Sequence, residues 1–214
     1  MFTGFQNETF DFLWGIRLNN NKAWFEAHKE QYLQTLYQPM KELAQDIFEP
    51  FQDIPGLVCK VSRIYRDARY SHATLYKESL WISIRRESNS WSEHPCLFFE
   101  LTPDTYSYGF VLLAPKADAI KRLRQRLEER PEEFLKLKRT LEQTTGIQIA
   151  GEQYCRKKPC PNEQIAPYYN LKQIRAFHTM ALDEKVYQPE LAELVKTTLQ
   201  ACLPLNEYCQ QFAY

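Results

Sequence analysis

The sequence predicts an α+β protein, an antiparallel meander sheet of about four to six strands packed against N-terminal, middle and C-terminal helices. Three observations carry this. Hydrophobic residues recur at helical spacing up to Pro50, alternate at 57–62 and 80–85, form two short apolar runs at 96–102 and 106–114, and return to helical spacing after Pro115. The alternating runs follow one another through short links, whereas parallel strands would need a crossover of roughly a dozen residues between each pair. With 214 residues, 44% of them hydrophobic and only 6 Gly, the chain carries enough apolar surface for one large core. We expect one domain spanning 1–214, with a helical part at 1–55 packed on a sheet-containing part at 56–214.

Taken in order, Asn7 is a candidate N-cap for a helix carrying Phe10, Leu13 and Trp14, and Gly15 is expected to end or loosen it. Asn19, Asn20 and Asn21 supply turn and cap chemistry. A long helix follows through Trp24, Phe25, Tyr32, Leu36, Leu43 and Ile47, and Pro39 must kink or divide it. Leu57, Cys59 and Val61 then alternate with Val58, Lys60 and Ser62 in a strand expected to run into Arg63-Ile64-Tyr65. Leu80, Ile82 and Ile84 mark a second strand. Residues 96–102 and 106–114 flank Pro103-Asp104-Thr105 as a hairpin. Glu100 is expected to pair with Arg85 across strands. Ile120, Leu123 and Leu127 mark a helix, and Pro131 opens another with Phe134, Leu135 and Leu141. Residues 147–153 read as a short strand and 174–180 as a further one. The last helix starts near Pro189, and Leu205, Tyr208 and Phe212 dock the tail.

The charge balance narrows the function classes. Twenty-seven basic and 27 acidic residues cancel, so no global field steers the chain to nucleic acid or an anionic membrane. The start, MFTGFQNETF, has no secretory pattern, and no apolar run approaches the ~18 residues of a membrane span. The expected residence is cytoplasmic, with no membrane partner and with the six cysteines as free thiols. Cys155 and Cys160 match no common zinc spacing, so no metal or cofactor is expected. His28 reads as a packed helix histidine.

One stretch concentrates chemistry. RIYRDARYS, Arg63 to Ser71, followed by Tyr76 and Lys77, places three arginines, a carboxylate and two tyrosines at the end of a strand. Arginine grips carboxylate or phosphate bidentately, which lysine cannot do. The cluster is therefore read as a site for an anionic, phosphate- or carboxylate-bearing small molecule. Arg63, Arg66, Arg69 and Lys77 are its contacts, and Tyr65 and Tyr76 shape the pocket. One alternative is an enzyme acting on such a ligand with Asp67 or His72 as acid or base. Another is a structural or interaction module in which the cluster is an ion-pair network. Nucleic acid is disfavoured as a partner, because the chain lacks a glycine-rich phosphate loop, an RNP-type aromatic motif and a zinc finger.

Three places resemble the domain-of-unknown-function family 2461, found in bacteria and fungi. Leu18 to Phe25, with Tyr32 and Pro39 behind it, is similar to the family's Asn-Asn…Trp-Phe helix opening. Arg63 to Ser71 with Tyr76-Lys77 resembles its central signature, and Leu123-Arg124 after Pro115 resembles the pair that opens a later helix. Where family members continue with an Asp-Lys pair and a Pro, this chain has His72-Ala73-Thr74-Leu75. The resemblance implies an α+β single domain and cytoplasmic residence, and it implies no activity.

Overall fold

In the computed structural model, which describes residues 1–66, 74–88 and 90–213, the chain opens with helix α1 (Asn7–Leu18). Its inward face carries Phe12, Leu13 and Ile16, none of them exposed. Gln6 rather than Asn7 holds the cap position, and its N–H donates to Thr9 Oγ1 at 3.2 Å. Gly15 neither ends nor loosens the helix. A Cβ there would lie 2.4 Å from the Trp24 ring, so the glycine seats that indole instead. Helix α2 (Lys22–Ala27) starts at Asn21, whose Oδ1 accepts the Trp24 N–H at 3.0 Å.

The expected break at Pro39 is spread upstream of it. A short α3 (Lys29–Gln31) and a π-helical turn (Tyr32–Tyr37) precede α4 (Gln38–Phe48), which carries Pro39 in its first turn. Proline has no N–H to offer the carbonyl four residues back. That carbonyl, Thr35 O, accepts the hydroxyl of fully buried Thr9 at 2.5 Å instead. The orphaned acceptor thus becomes the link between α1 and the broken helix.

Five strands follow: β1 (Leu57–Val61), β2 (Leu80–Arg86), β3 (Cys96–Leu101), β4 (Thr105–Leu112) and β5 (Ile174–Ala181). They lie in the order β1-β2-β3-β4-β5, each neighbouring pair antiparallel. Between β4 and β5 the chain makes α5 (Ala117–Glu129), α6 (Pro131–Thr145) and α7 (Ala166–Tyr169), and α8 (Glu190–Gln210) closes it. Period-two alternation decides the faces. Ile82, Phe99, Tyr108 and His178 stand in one cross-strand row, with Ile84, Leu97, Phe110 and Ala176 in the next. Helix α8 packs against β3 and β4, and α4 against β1 and β2.

The opposite face holds a separate, smaller apolar cluster of Cys96, Phe98 and Val111 with Trp81, Leu113 and Phe177 against it. Gly109 lies between Phe98 and Phe177 in the register with φ +146°, and a Cβ there would meet Ala176 O at 2.4 Å. Only glycine fits that backbone, and the two phenyl rings meet across it at 5.4 Å.

Three expectations need correcting. Residues 147–153 form no strand; Ala150 and Gln153 make isolated bridges to Arg175 and Leu171. At Gly151 a Cβ would lie 2.0 Å from Gln173 O, so only glycine lets the chain pass that close between the two bridges. β1 stops at Val61 because the Ser62 side chain takes over, its Oγ accepting the Trp81 N–H at 3.1 Å. Glu100 stands opposite Trp81, not Arg85, and accepts the Ser79 hydroxyl at 2.8 Å. Arg85 stands opposite Cys96. Among the described residues, no helix is long and apolar enough to cross a membrane.

Candidate functional site

Past the end of β1 the chain builds a two-stranded ribbon from residues 63–66 and 75–77. The Arg66 N–H donates to Leu75 O at 2.9 Å, the Lys77 N–H donates to Ile64 O at 2.7 Å, and Tyr65 bridges Tyr76. An isolated ribbon of this size is not stable in water. Here Asn20 holds its outer side as a neighbouring strand would. Asn20 Oδ1 accepts the N–H groups of Leu75 (2.9 Å) and Tyr76 (3.0 Å), and its Nδ2 donates to Tyr76 O (3.0 Å). The three consecutive asparagines therefore have three jobs. Asn19 returns to Gly15 O, Asn20 clamps the ribbon, and Asn21 caps α2.

The two tyrosines part company. Tyr76 is 3% exposed and stacks on fully buried Phe25 at 4.3 Å, anchoring the ribbon to α2. It is not among the residues that line the hollow described below. Tyr65, 49% exposed, stays on the outside with its edge toward Phe25.

The ribbon and the end of the sheet enclose an open hollow of about 540 Å³. Arg63, Tyr65, Arg66 and Lys77 line it from the ribbon, and Lys60 and Ser62 from β1 and the residue after it. Trp81, Ser83 and Arg85 come from β2, and Trp91 from the 3-10 turn Trp91–Glu93. Lys60 pairs with Glu87 at 2.9 Å. Arg66 Nε donates to Tyr76 O at 2.8 Å, Lys77 Nζ to Arg63 O at 2.8 Å, and Arg85 Nη1 to Arg86 O at 3.1 Å. Among the described residues, no carboxylate pairs with Arg63, Arg66, Lys77 or Arg85. Burial, then the charges of Arg66 and Arg63, lower the Lys77 pKa from its ordinary value. Arg86, next in sequence to Arg85, turns away to Pro55 O and Glu207.

Of the residues expected at the site from the sequence, Arg63, Tyr65, Arg66 and Lys77 share this hollow, and Tyr76 stands behind it. Asp67, Arg69 and His72 lie outside the described residues, as do Tyr70 and Ser71. Lys60, Trp81, Arg85, Trp91 and the clamp Asn20 were not singled out. Strand parity already set Trp81, Ser83 and Arg85 opposite the core residues of β2. The sequence does not show that the ribbon extends over the same face.

Other reactive groups are used for packing. His28 stacks on Trp24 at 4.0 Å with Nδ1 2.8 Å from Trp24 O. Burial pushes the thiols of Cys59, Cys96, Cys202 and Cys209 up to about 12, far from an activated nucleophile. All six cysteines are free.

Fold and site together define an α+β protein whose antiparallel sheet carries helices on one face and a cation-lined hollow at one end of the other. Residues 8–208 match the family described as "Conserved hypothetical protein (DUF2461)", and the chain belongs to that family. The membership agrees with the resemblance drawn from the asparagine run and the arginine signature. A comparison with curated proteins gave no match.

Proposed function

We propose that the protein binds an anionic small molecule in this hollow, with Arg63, Arg66 and Lys77 as the principal contacts and Tyr65 as a wall. The observation that supports this reading is the pairing pattern. Three cations converge on one water-accessible space, and no carboxylate among the described residues compensates them. Their mutual repulsion shows at Lys77, whose charged form is disfavoured partly by Arg66 and Arg63. A phosphate or carboxylate relieves that repulsion and accepts hydrogen bonds from the guanidinium groups.

A structural reading of the same residues has its own support, because Arg66 Nε and Lys77 Nζ each hold a ribbon carbonyl. Arg63 separates the two. Among the described residues, no protein group accepts a hydrogen bond from its guanidinium, so Arg63→Ala removes charge and no side-chain hydrogen bond among them. Melting in the presence of phosphate, pyrophosphate, citrate and succinate is the test. A ligand at roughly 100 times its Kd adds about 2.7 kcal/mol of stability, a shift of several degrees. Arg63→Ala should abolish the shift while changing the unliganded stability by less than about 0.5 kcal/mol. If no anion raises the melting temperature, or Arg63→Ala keeps the full rise, the binding reading is wrong.

A further inference from the structure

We infer that the anion is a nucleotide, its phosphate held by the ribbon cations and its base lying against the indoles of Trp81 and Trp91. This rests on the binding reading above and sharpens it to a ligand class. A site for a bare phosphate or small carboxylate needs only a close cage of donors. This hollow, at about 540 Å³, falls in the range of sites for whole small molecules, and two tryptophans help form its wall. Trp81 and Trp91 meet at 4.5 Å with their planes 63° apart, and both are half-buried. One indole therefore braces the other and fixes its orientation, while each keeps part of its surface toward solvent.

The order of residues along the strands supports the same assignment. Ser62 stands beside Trp81 in the backbone pairing, and Arg63 and Lys77 follow on the ribbon side. The phosphate contacts and the aromatic wall are thus consecutive along one edge of the hollow, as phosphate and base are along a nucleotide. Ser62 Oγ accepts the Trp81 N–H, and its hydroxyl proton can donate to a sugar or base edge. Farther along β1 and β2 from the ribbon, Lys60, paired with Glu87, and Arg85 also line the hollow, so cations stand on both sides of Trp81 along the strands. Base stacking on aromatic residues between cations is the chemistry of nucleotide and single-strand recognition alike. The ligand is either a free mononucleotide or a nucleotide within a strand, whose next phosphate would reach Arg85.

Titrations followed by calorimetry and tryptophan fluorescence test the idea, using ribose 5-phosphate, the four nucleoside 5′-monophosphates and a single-stranded tetranucleotide. At least one monophosphate should bind tenfold or more tightly than ribose 5-phosphate and quench tryptophan emission. Trp91→Ala should lower its affinity to the ribose 5-phosphate level while leaving ribose 5-phosphate binding unchanged. Trp81→Phe, which keeps an aromatic ring and the strand packing, should retain part of the preference. If ribose 5-phosphate binds and no nucleotide exceeds it, the base assignment fails and the anion reading stands. If none of these ligands binds and the simple anions fail too, both readings fall. A tetranucleotide that binds more tightly than any monophosphate assigns the site to a strand, and one that binds no better assigns it to the free nucleotide; either result supports base recognition.

Discussion

Lys77 and Glu78 are neighbours in sequence, yet they belong to two cationic clusters built in opposite ways. Glu78, with Asp104 from the β3–β4 turn, holds Arg17 of α1 at 2.9 and 2.6 Å. The same guanidinium lies 4.8 Å over the Trp14 ring. The hydrogen bond that Arg17 donates to Asp104 leads the effects that raise the Arg17 pKa. Lys77 faces the hollow, has Arg63 and Arg66 as its charged neighbours, and is pushed the other way. Consecutive residues of an extended chain point to opposite sides, which is what lets one peptide serve both clusters. A cation that fastens helix to sheet comes with its own carboxylates. Among the described residues, Arg63, Arg66 and Lys77 come without them, and Asn20 and Phe25 hold in place the ribbon that carries them.

The comparison can be broken or sharpened in three ways. Asn20→Ala carries the largest expected effect. It deletes three hydrogen bonds and strips the N–H groups of Leu75 and Tyr76 of their acceptor, for a loss of about 2–3 kcal/mol. Denaturant unfolding reads the loss, and hydrogen exchange at residues 75–77 locates it. A cost under about 0.5 kcal/mol would mean the ribbon stands without its clamp.

Arg17→Met comes next. Its partners are partly solvent-exposed, so the expected cost is about 1 kcal/mol or less, shrinking as salt is added. Anion binding should be unaffected. A drop in binding would join the two clusters that the structure keeps apart.

The smallest effect is the pH response of Lys77. Folding holds its pKa below the ordinary 10.5, so in the window beneath that value the unfolded chain binds more protons. Stability should therefore rise with pH across that window, and Lys77→Met should flatten the rise. A bound anion favours the charged lysine, so binding in the same window should take up protons. Calorimetry in buffers of different ionisation enthalpy measures the uptake, and its absence would separate Lys77 from the ligand.

Local chemistry made much of this readable in advance. The alternation of Leu80, Ile82 and Ile84 named the buried face of β2, and the Pro103-Asp104-Thr105 turn gave the hairpin between β3 and β4. Arg63, Arg66 and Lys77 stood out as a charge concentration in a neutral chain. What misled was also local. Tyr76 looked like a pocket residue because it lies beside Lys77, yet its ring stacks on Phe25, about fifty positions earlier in the chain. Gly15 looked like a helix stop because nothing nearby reveals that Trp24 must sit on it. The asparagine run offered caps and turns, while the second of the three is spent on a backbone 55 residues away.

By itself, then, the amino-acid order determined the α+β class, the meander and the concentration of cations in one short stretch, since side-chain periodicity and turn chemistry act over a few residues. Tertiary structure decided which side of each strand faces the hollow. Cross-strand register and the docking of the ribbon on α2 bring Lys60, Trp81, Arg85 and Trp91 to the same hollow as Arg63. Those placements depend on contacts between residues far apart in the chain, whose closure is rewarded only when the whole core forms.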